Sequence, residues 1–297
     1  MNDVTFIIKT FERPKTLGRL LKSIRQFYYD VKIIVADDSK KTSKNKNRRI
    51  CAKYNTQYIE LPYDSGLSKG RNEMVQMVKT KFFLLLDDDY IFIDKTDIFK
   101  LKNILLNYHL DIVGGGWIEG ENVRHFEGIY ELEDGKLHLF PKFYDKINEC
   151  YFCDFVHNFF LAKTDSVRQI LWDEKLKLIE HTDFFFRARG KLKVGYVPTV
   201  AIFHARETNW LYSKMRNRGP LFYNLLLKKH NLRSIIDIDG KDCFAAAHKR
   251  SFSINILFFL KDKIYIFLLR PGILYHTRTR IYSLLKSLKN KTNIIKK

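Results

Sequence analysis

Three consecutive carboxylates, Asp87-Asp88-Asp89, follow directly on the apolar run Phe82-Phe83-Leu84-Leu85-Leu86. A run of that length and composition reads as a strand buried on both faces. Acids gathered at the end of such a strand repel one another and lose hydration unless a cation sits among them. A divalent metal is one such cation, and the Asp-x-Asp spacing lets Asp87 and Asp89 approach a single ion. A solvated turn with an acidic rim is the plainer alternative.

The elements that must position these acids are legible around them. Apolar strand-like segments at 4–8, 31–36, 57–61, 81–86 and 110–113 alternate with helical patterns at 14–27, 44–53, 67–78 and 98–106. Pro14 sits in the first turn of its helix, and Leu17, Leu20, Leu21 and Ile24 share one face. Such alternation predicts an α/β fold with a mostly parallel sheet flanked by helices. Ligands of these sheets bind at the carboxyl ends of the strands. There the sequence places Lys9-Thr10-Phe11-Glu12-Arg13-Pro14, Asp37-Asp38-Ser39 and the acid triplet. Beyond residue 115 the pattern turns irregular after Gly114-Gly115-Gly116-Trp117. Helices are expected at 165–171 and 182–188, short strands at 194–197 and 201–203, and a long basic helix at 210–230, broken or kinked near Gly219-Pro220.

The 297 residues suffice for one large or two modest domains, and 45% hydrophobic with 29% charged residues is ordinary globular composition. No run approaches the ~20 apolar residues of a membrane span. The N-terminal segment lacks the basic, then apolar, layout of a secretory signal. Cys51, Cys150, Cys153 and Cys243 give one C-x-x-C with no second pair to complete a zinc site, so reduced thiols in a cytosolic protein are expected. The net charge of +20 is uneven. Between Lys249 and Lys297 twelve Lys/Arg face one acid, Asp262, interleaved with aliphatic and aromatic residues. That composition suits a helical tail, 241–297, lying on an anionic membrane surface behind a catalytic unit of 1–240.

Four patterns occur in order: Val4–Pro14, Ile33–Ser39, Ser65-Gly66-Leu67-Ser68-Lys69-Gly70-Arg71-Asn72 and Leu85–Asp89. Together they resemble the nucleotide-sugar half of the GT-A (Rossmann-like) glycosyltransferases of family 2. Asn158-Phe159-Phe160-Leu161-Ala162 and the stretch from Trp172 to Phe185 resemble the acceptor half of the β-1,4-N-acetylgalactosaminyltransferase-like group. The resemblance spans residues 3–205, with 1–115 as the nucleotide-sugar half and 116–240 as the acceptor half.

That resemblance implies a metal-dependent, inverting transferase using a UDP-sugar. It implies that Thr10, Glu12 and Arg13 meet the nucleoside and that Asp37 faces the base or ribose. Gly66, Arg71 and Asn72 would lie near the donor, with Asp88 beside them. Asp87, Asp89 and His204 would hold Mn²⁺ or Mg²⁺, hard ions suited to oxygen ligands. The base that deprotonates the acceptor hydroxyl is Asp183 or Glu180, a turn apart on one helix. His181 stands where the family typically has Asp, a departure that leaves the base open. Trp117 and Trp172 could stack on a sugar and Asp173 could orient it. The expected acceptor is a glycan or lipid-linked sugar in bacterial surface polysaccharide synthesis, at the inner face of the cell membrane. Two competing readings are weaker. A sugar nucleotidyltransferase usually carries a Gly-rich loop after its first strand, and residues 9–14 contain no glycine. A nucleic-acid-binding protein would use the +20 charge but leave the acid triplet unexplained.

Overall fold

β1 (Val4–Thr10), β2 (Lys32–Asp37), β3 (Gln57–Glu60) and β4 (Phe82–Asp87) form the parallel half of the main sheet in the order β3-β2-β1-β4. The apolar runs of β1, β2 and β4 are buried on both faces, with α1 (Pro14–Phe27), α2 (Lys41–Lys53) and α3 (Leu67–Met77) crossing between the strands, and the edge strand β3 is only partly buried. The α1 stripe of Leu17, Leu20, Leu21 and Ile24 packs into the same core as Phe6, Ile8, Phe82 and Leu84. Register sets the strand ends level, with Lys9 opposite Asp87 and Thr10 opposite Asp37.

This computed structural model describes residues 1–119, 122–124 and 127–243. The expected basic tail therefore lies outside the described residues from 244 onward. Met1–Cys243 clusters as one unit.

The chain continues through β5 (Tyr90–Ile91), α4 (Ile98–Asn107), β6 (Ile112–Glu119) and β7 (Asn122–Arg124). Next come β8 (Ile129–Glu133), β9 (Lys136–Phe140), β10 (Asp145–Ile147), β11 (Cys150–Cys153) and β12 (Phe160–Lys163). Short helix α5 (Thr164–Arg168), then α6 (Glu180–Ala188) and β13 (Val194–His204), precede α7 (Trp210–Arg216), α8 (Gly219–His230) and β14 (Ser234–Ile236). The sheet extends past β4 as β12-β6-β13-β11-β10. β12 runs antiparallel to both β4 and β6, whereas β6 and β13 are parallel. So the parallel expectation holds for the first half and gives way to mixed pairing in the second.

Two boundaries differ from the sequence reading. Gly114-Gly115-Gly116 does not end β6, because pairing with β13 along its length carries the strand to Glu119. The two short strands at 194–197 and 201–203 are one strand, β13, with a register shift between Val197 and Ala201 around Pro198-Thr199. The basic helix expected at 210–230 is broken near Gly219-Pro220, as its sequence suggests, into α7 and α8.

Candidate active site

The chain turns from β4 straight into β5, and β5 pairs antiparallel with the end of β13, Tyr90 opposite His204. A backbone bond from Ala205 N–H to the Asp89 carbonyl, 2.9 Å, closes the junction. His204 is thereby delivered to the acid triplet from more than a hundred residues away. Its Nε2 lies 3.5 Å from Asp89 Oδ2 and its Nδ1 lies 3.5 Å from Glu119 Oε1.

The three acids have different surroundings. Asp88 is fully buried and accepts from the Thr10 hydroxyl at 2.6 Å. Arg13 forks across Asp88 and Asp89, pairing with both, the Asp89 contact at 2.8 Å. Burial pushes the Asp88 carboxyl up, against the pull of Arg13. Burial also opposes the charged form of Asp89, but His204 and Arg13 outweigh it and leave its pKa below the usual carboxylate value. Asp87 is the outermost, its side chain 30% exposed. It accepts from the Asn158 amide at 3.0 Å and has Arg71 Nη2 at 3.6 Å. Repulsion among the acids is thus relieved by two arginines. The protein itself thus supplies cations among the acids, as the sequence required.

Arg71 is wholly buried, projects from α3, and forms an ion pair with Glu180 at the start of α6. Asn72 beside it imitates a peptide: its amide donates to the Trp172 carbonyl at 2.8 Å and its carbonyl accepts from Trp172 N–H at 2.9 Å. Gly66 takes φ +94°, which favours glycine, and its N–H donates to Asp38 at 2.8 Å. Asp38 also pairs with Lys9, whose side chain runs so close to Gly70 that a Cβ there would sit 2.3 Å from it. Asp38 and Lys9 were missed by the sequence reading; their strand-end positions were the only signal available.

Several expected ligand contacts are occupied by the protein itself. Asp37 is fully buried, accepting from Ser39 N–H, the Asn47 amide and the Tyr58 hydroxyl, each at 2.8 Å. It anchors the turn into α2, with both carboxylate oxygens engaged by these donors. Glu12, at φ 59°, accepts from Lys40 N–H and the Ser43 hydroxyl at 2.6 Å each, and so holds the start of α2. Trp117 has His157 stacked on one side, centroids 3.9 Å apart, and His204 stacked at 4.5 Å. Trp172 is 2% exposed, stacks on Phe184 at 4.5 Å and lies under the Arg71 guanidinium. Neither indole presents an open face to a sugar. Asp173 pairs with Lys229 at 2.7 Å.

The two candidate bases part company. Asp183 is fully buried among Arg187 (2.8 Å), Lys229 (2.7 Å) and His230 (2.8 Å). Burial opposes its ionisation, yet hydrogen bonds from Lys229 and His230 and the charge of Arg187 hold its pKa below the usual value. It ties α6 to α8, whereas Glu180 pairs with Arg71. Between them, His181 Nε2 lies 2.6 Å from the Val156 carbonyl; since a carbonyl only accepts, that nitrogen carries the proton. Burial, with Arg71 nearby, holds the imidazole well below its usual pKa.

A segment of residues 205–218 crosses the cluster. Tyr212 lies under the Arg13 guanidinium at 4.0 Å, Asn209 donates to the Glu12 carbonyl at 2.8 Å, and Arg218 grips Asp64 through two bonds of 2.7 and 2.5 Å.

Carboxylates plus one imidazole make a donor set suited to a hard divalent ion. The 3.5 Å between Asp89 Oδ2 and His204 Nε2 is near the roughly 3 Å edge that bonds of about 2.1 Å imply in an octahedron. Among the described residues no three His, Cys, Asp or Glu side chains converge as a complete cage. Magnesium commonly binds through one or two carboxylates plus substrate phosphates, so this donor set still fits such an ion. Among the described residues no helix is long and apolar enough to cross a membrane.

The model of the glycosyl transferase family 2 domain matches residues 5–171. The chain is 37% identical over 212 residues to mouse (Mus musculus) beta-1,4 N-acetylgalactosaminyltransferase 2, covering 70% of this chain and 40% of the relative. It is 34% identical over 256 residues to rat (Rattus norvegicus) beta-1,4 N-acetylgalactosaminyltransferase 1, covering 77% and 47%. The chain thus spans less than half the length of these curated relatives. Among solved structures, S. aureus TarS superposes with a TM-score of 0.54 at 16% identity, over 77% of this chain and 39% of that one. TarS 1-349 in complex with UDP gives the same TM-score, with 65% of that chain covered. This likeness identifies the GT-A fold.

Proposed function

This chain belongs to glycosyl transferase family 2, and on that premise we propose that it moves a sugar from a UDP-sugar to a hydroxyl of a glycan or lipid-linked acceptor, with inversion. The observation that carries the reading is the acid triplet at the end of β4, level with the β1 and β2 ends and met there by His204 and Arg71. N-acetylgalactosamine is the first donor sugar to test, because the curated relatives are named for its transfer.

Asp87, Asp89 and His204 would hold Mn²⁺ or Mg²⁺, whose contribution when bound is to neutralise charge on the departing nucleoside diphosphate. Asp87 is the most exposed of the three acids, and Arg71 behind it adds fixed positive charge at the same edge. Arg13 keeps Asp88 and Asp89 from repelling each other before the donor arrives. Glu180 is the better-placed proton acceptor. Arg71 engages its Oε1, while Asp183 has both carboxylate oxygens tied to cations. Held in place by Arg71, the Glu180 carboxylate would take the acceptor's proton.

The expected setting is surface polysaccharide assembly in bacteria, with the tail beyond residue 243 resting on an anionic membrane; flotation of the full chain with anionic vesicles tests that placement. The chemistry itself is tested by a panel of UDP-sugars, with Mn²⁺ and with EDTA. Manganese-dependent turnover of one UDP-sugar is expected. Turnover of none, with manganese present, would refute the reading.

A further inference from the structure

Residues 208–236 contain six Lys/Arg and no Asp or Glu. They include α7 and α8. The inner side of α7 meets Arg13 through Tyr212. The outer side carries Trp210, 63% exposed, with Lys214 one turn on and its ammonium 5.4 Å from the indole centroid. On α8 the exposed positions are Leu221, Asn224, Leu225, Lys228 and Lys229, and helical spacing gathers the first four into one stripe. Leu221 is 58% and Leu225 43% exposed.

A single exposed leucine needs no explanation. Here a tryptophan and two leucines stand outward on consecutive helices, in the positions where a water-facing helix puts polar groups. Lys214 and Lys228 stand among them with no ion pair among the described residues. Cations without matching acids, together with an exposed indole and aliphatic groups, complement an anionic headgroup layer over apolar chains. We propose that the outer face of α7 and α8 docks on an anionic lipid surface. This goes beyond the transferase reading and is separate from any action of the tail. Docking would set the segment that covers the acid cluster at the headgroup level, where a lipid-linked hydroxyl is presented.

The test uses the full chain and vesicles of phosphatidylglycerol and phosphatidylcholine with brominated acyl chains. Trp117 is sandwiched between two imidazoles and Trp172 is buried, so Trp210 is the reporter. Quenching by anionic vesicles is expected, with its loss in Trp210→Phe and its absence on pure phosphatidylcholine. Leu221→Ser/Leu225→Ser should weaken vesicle binding at least about tenfold, from the apolar area no longer buried, with transfer to a soluble acceptor unchanged. Vesicle binding without quenching would assign docking to the tail and overturn the proposal. Equal quenching on phosphatidylcholine would overturn its electrostatic part. A change of oligomeric state in the double variant would identify the face as a protein interface instead.

Discussion

Arg71 and Glu180 lie 109 residues apart in the chain and meet as a buried ion pair, with side chains 1% and 3% exposed. The same guanidinium stands 3.6 Å from Asp87. One arginine therefore links α3, the start of α6 and the end of β4, the three places from which the proposed chemistry is drawn. Removing one partner of such a pair strands the other as an uncompensated buried charge. Arg71→Met should lower unfolding free energy by about 3–5 kcal/mol, measured by urea denaturation. The Arg71→Met/Glu180→Gln double variant should lose less than the two singles summed. Strict additivity would mean that the pair is not coupled.

Asp89 can be removed with less structural consequence, because Arg13 keeps Asp88 as a partner. Asp89→Ala should cut transfer by at least about 100-fold while its thermal unfolding stays close to the parent. Near-normal turnover in this variant would contradict its placement in the donor site.

His181 gives a pH signature with a fixed sign. Its folded-state pKa is depressed by burial and by Arg71, so protonation favours the unfolded chain. Its neutral form is fully compatible with folding above the ordinary histidine value, and stability falls as pH drops below about 6.5, by up to about 1.4 kcal/mol per pH unit from this one group. His181→Asn retains a donor for the Val156 carbonyl and should flatten that slope between pH 6.5 and 5. An unchanged slope would show that His181 is not buried neutral.

The segment over the acid cluster is held by Arg218 and Asp64, both partly exposed, so their bond contributes only about 1 kcal/mol or less. Asp64→Ala should leave the midpoint of unfolding nearly unchanged while speeding limited proteolysis within 205–218. Equal cleavage rates would place the anchor elsewhere, at Tyr212 on Arg13.

Much of the parallel half was legible in the sequence because period and burial coincide there. The α1 stripe repeats at helical spacing, and its bounds, Pro14–Phe27, are those its sequence suggests. β6 and β13 were not, since glycines and a Pro-Thr interruption have poor strand propensity that neighbouring strands override. At the site, chemistry that depends on one strand end could be read. What depends on partners could not: Asp37 reads as a ligand until Asn47 and Tyr58 are seen to occupy it. Likewise, nothing local announces that Arg13, in the loop after β1, reaches the acids at the end of β4.

UDP binding, followed by calorimetry on the full chain and on Asp89→Ala with Mn²⁺ or with EDTA, bears most directly on the account. The parent chain should bind UDP with manganese, lose most of that affinity in EDTA, and show neither behaviour once Asp89 is alanine. Equal affinity in all three conditions, or no UDP binding by the parent with manganese present, would contradict a donor site built on the β4 carboxylates.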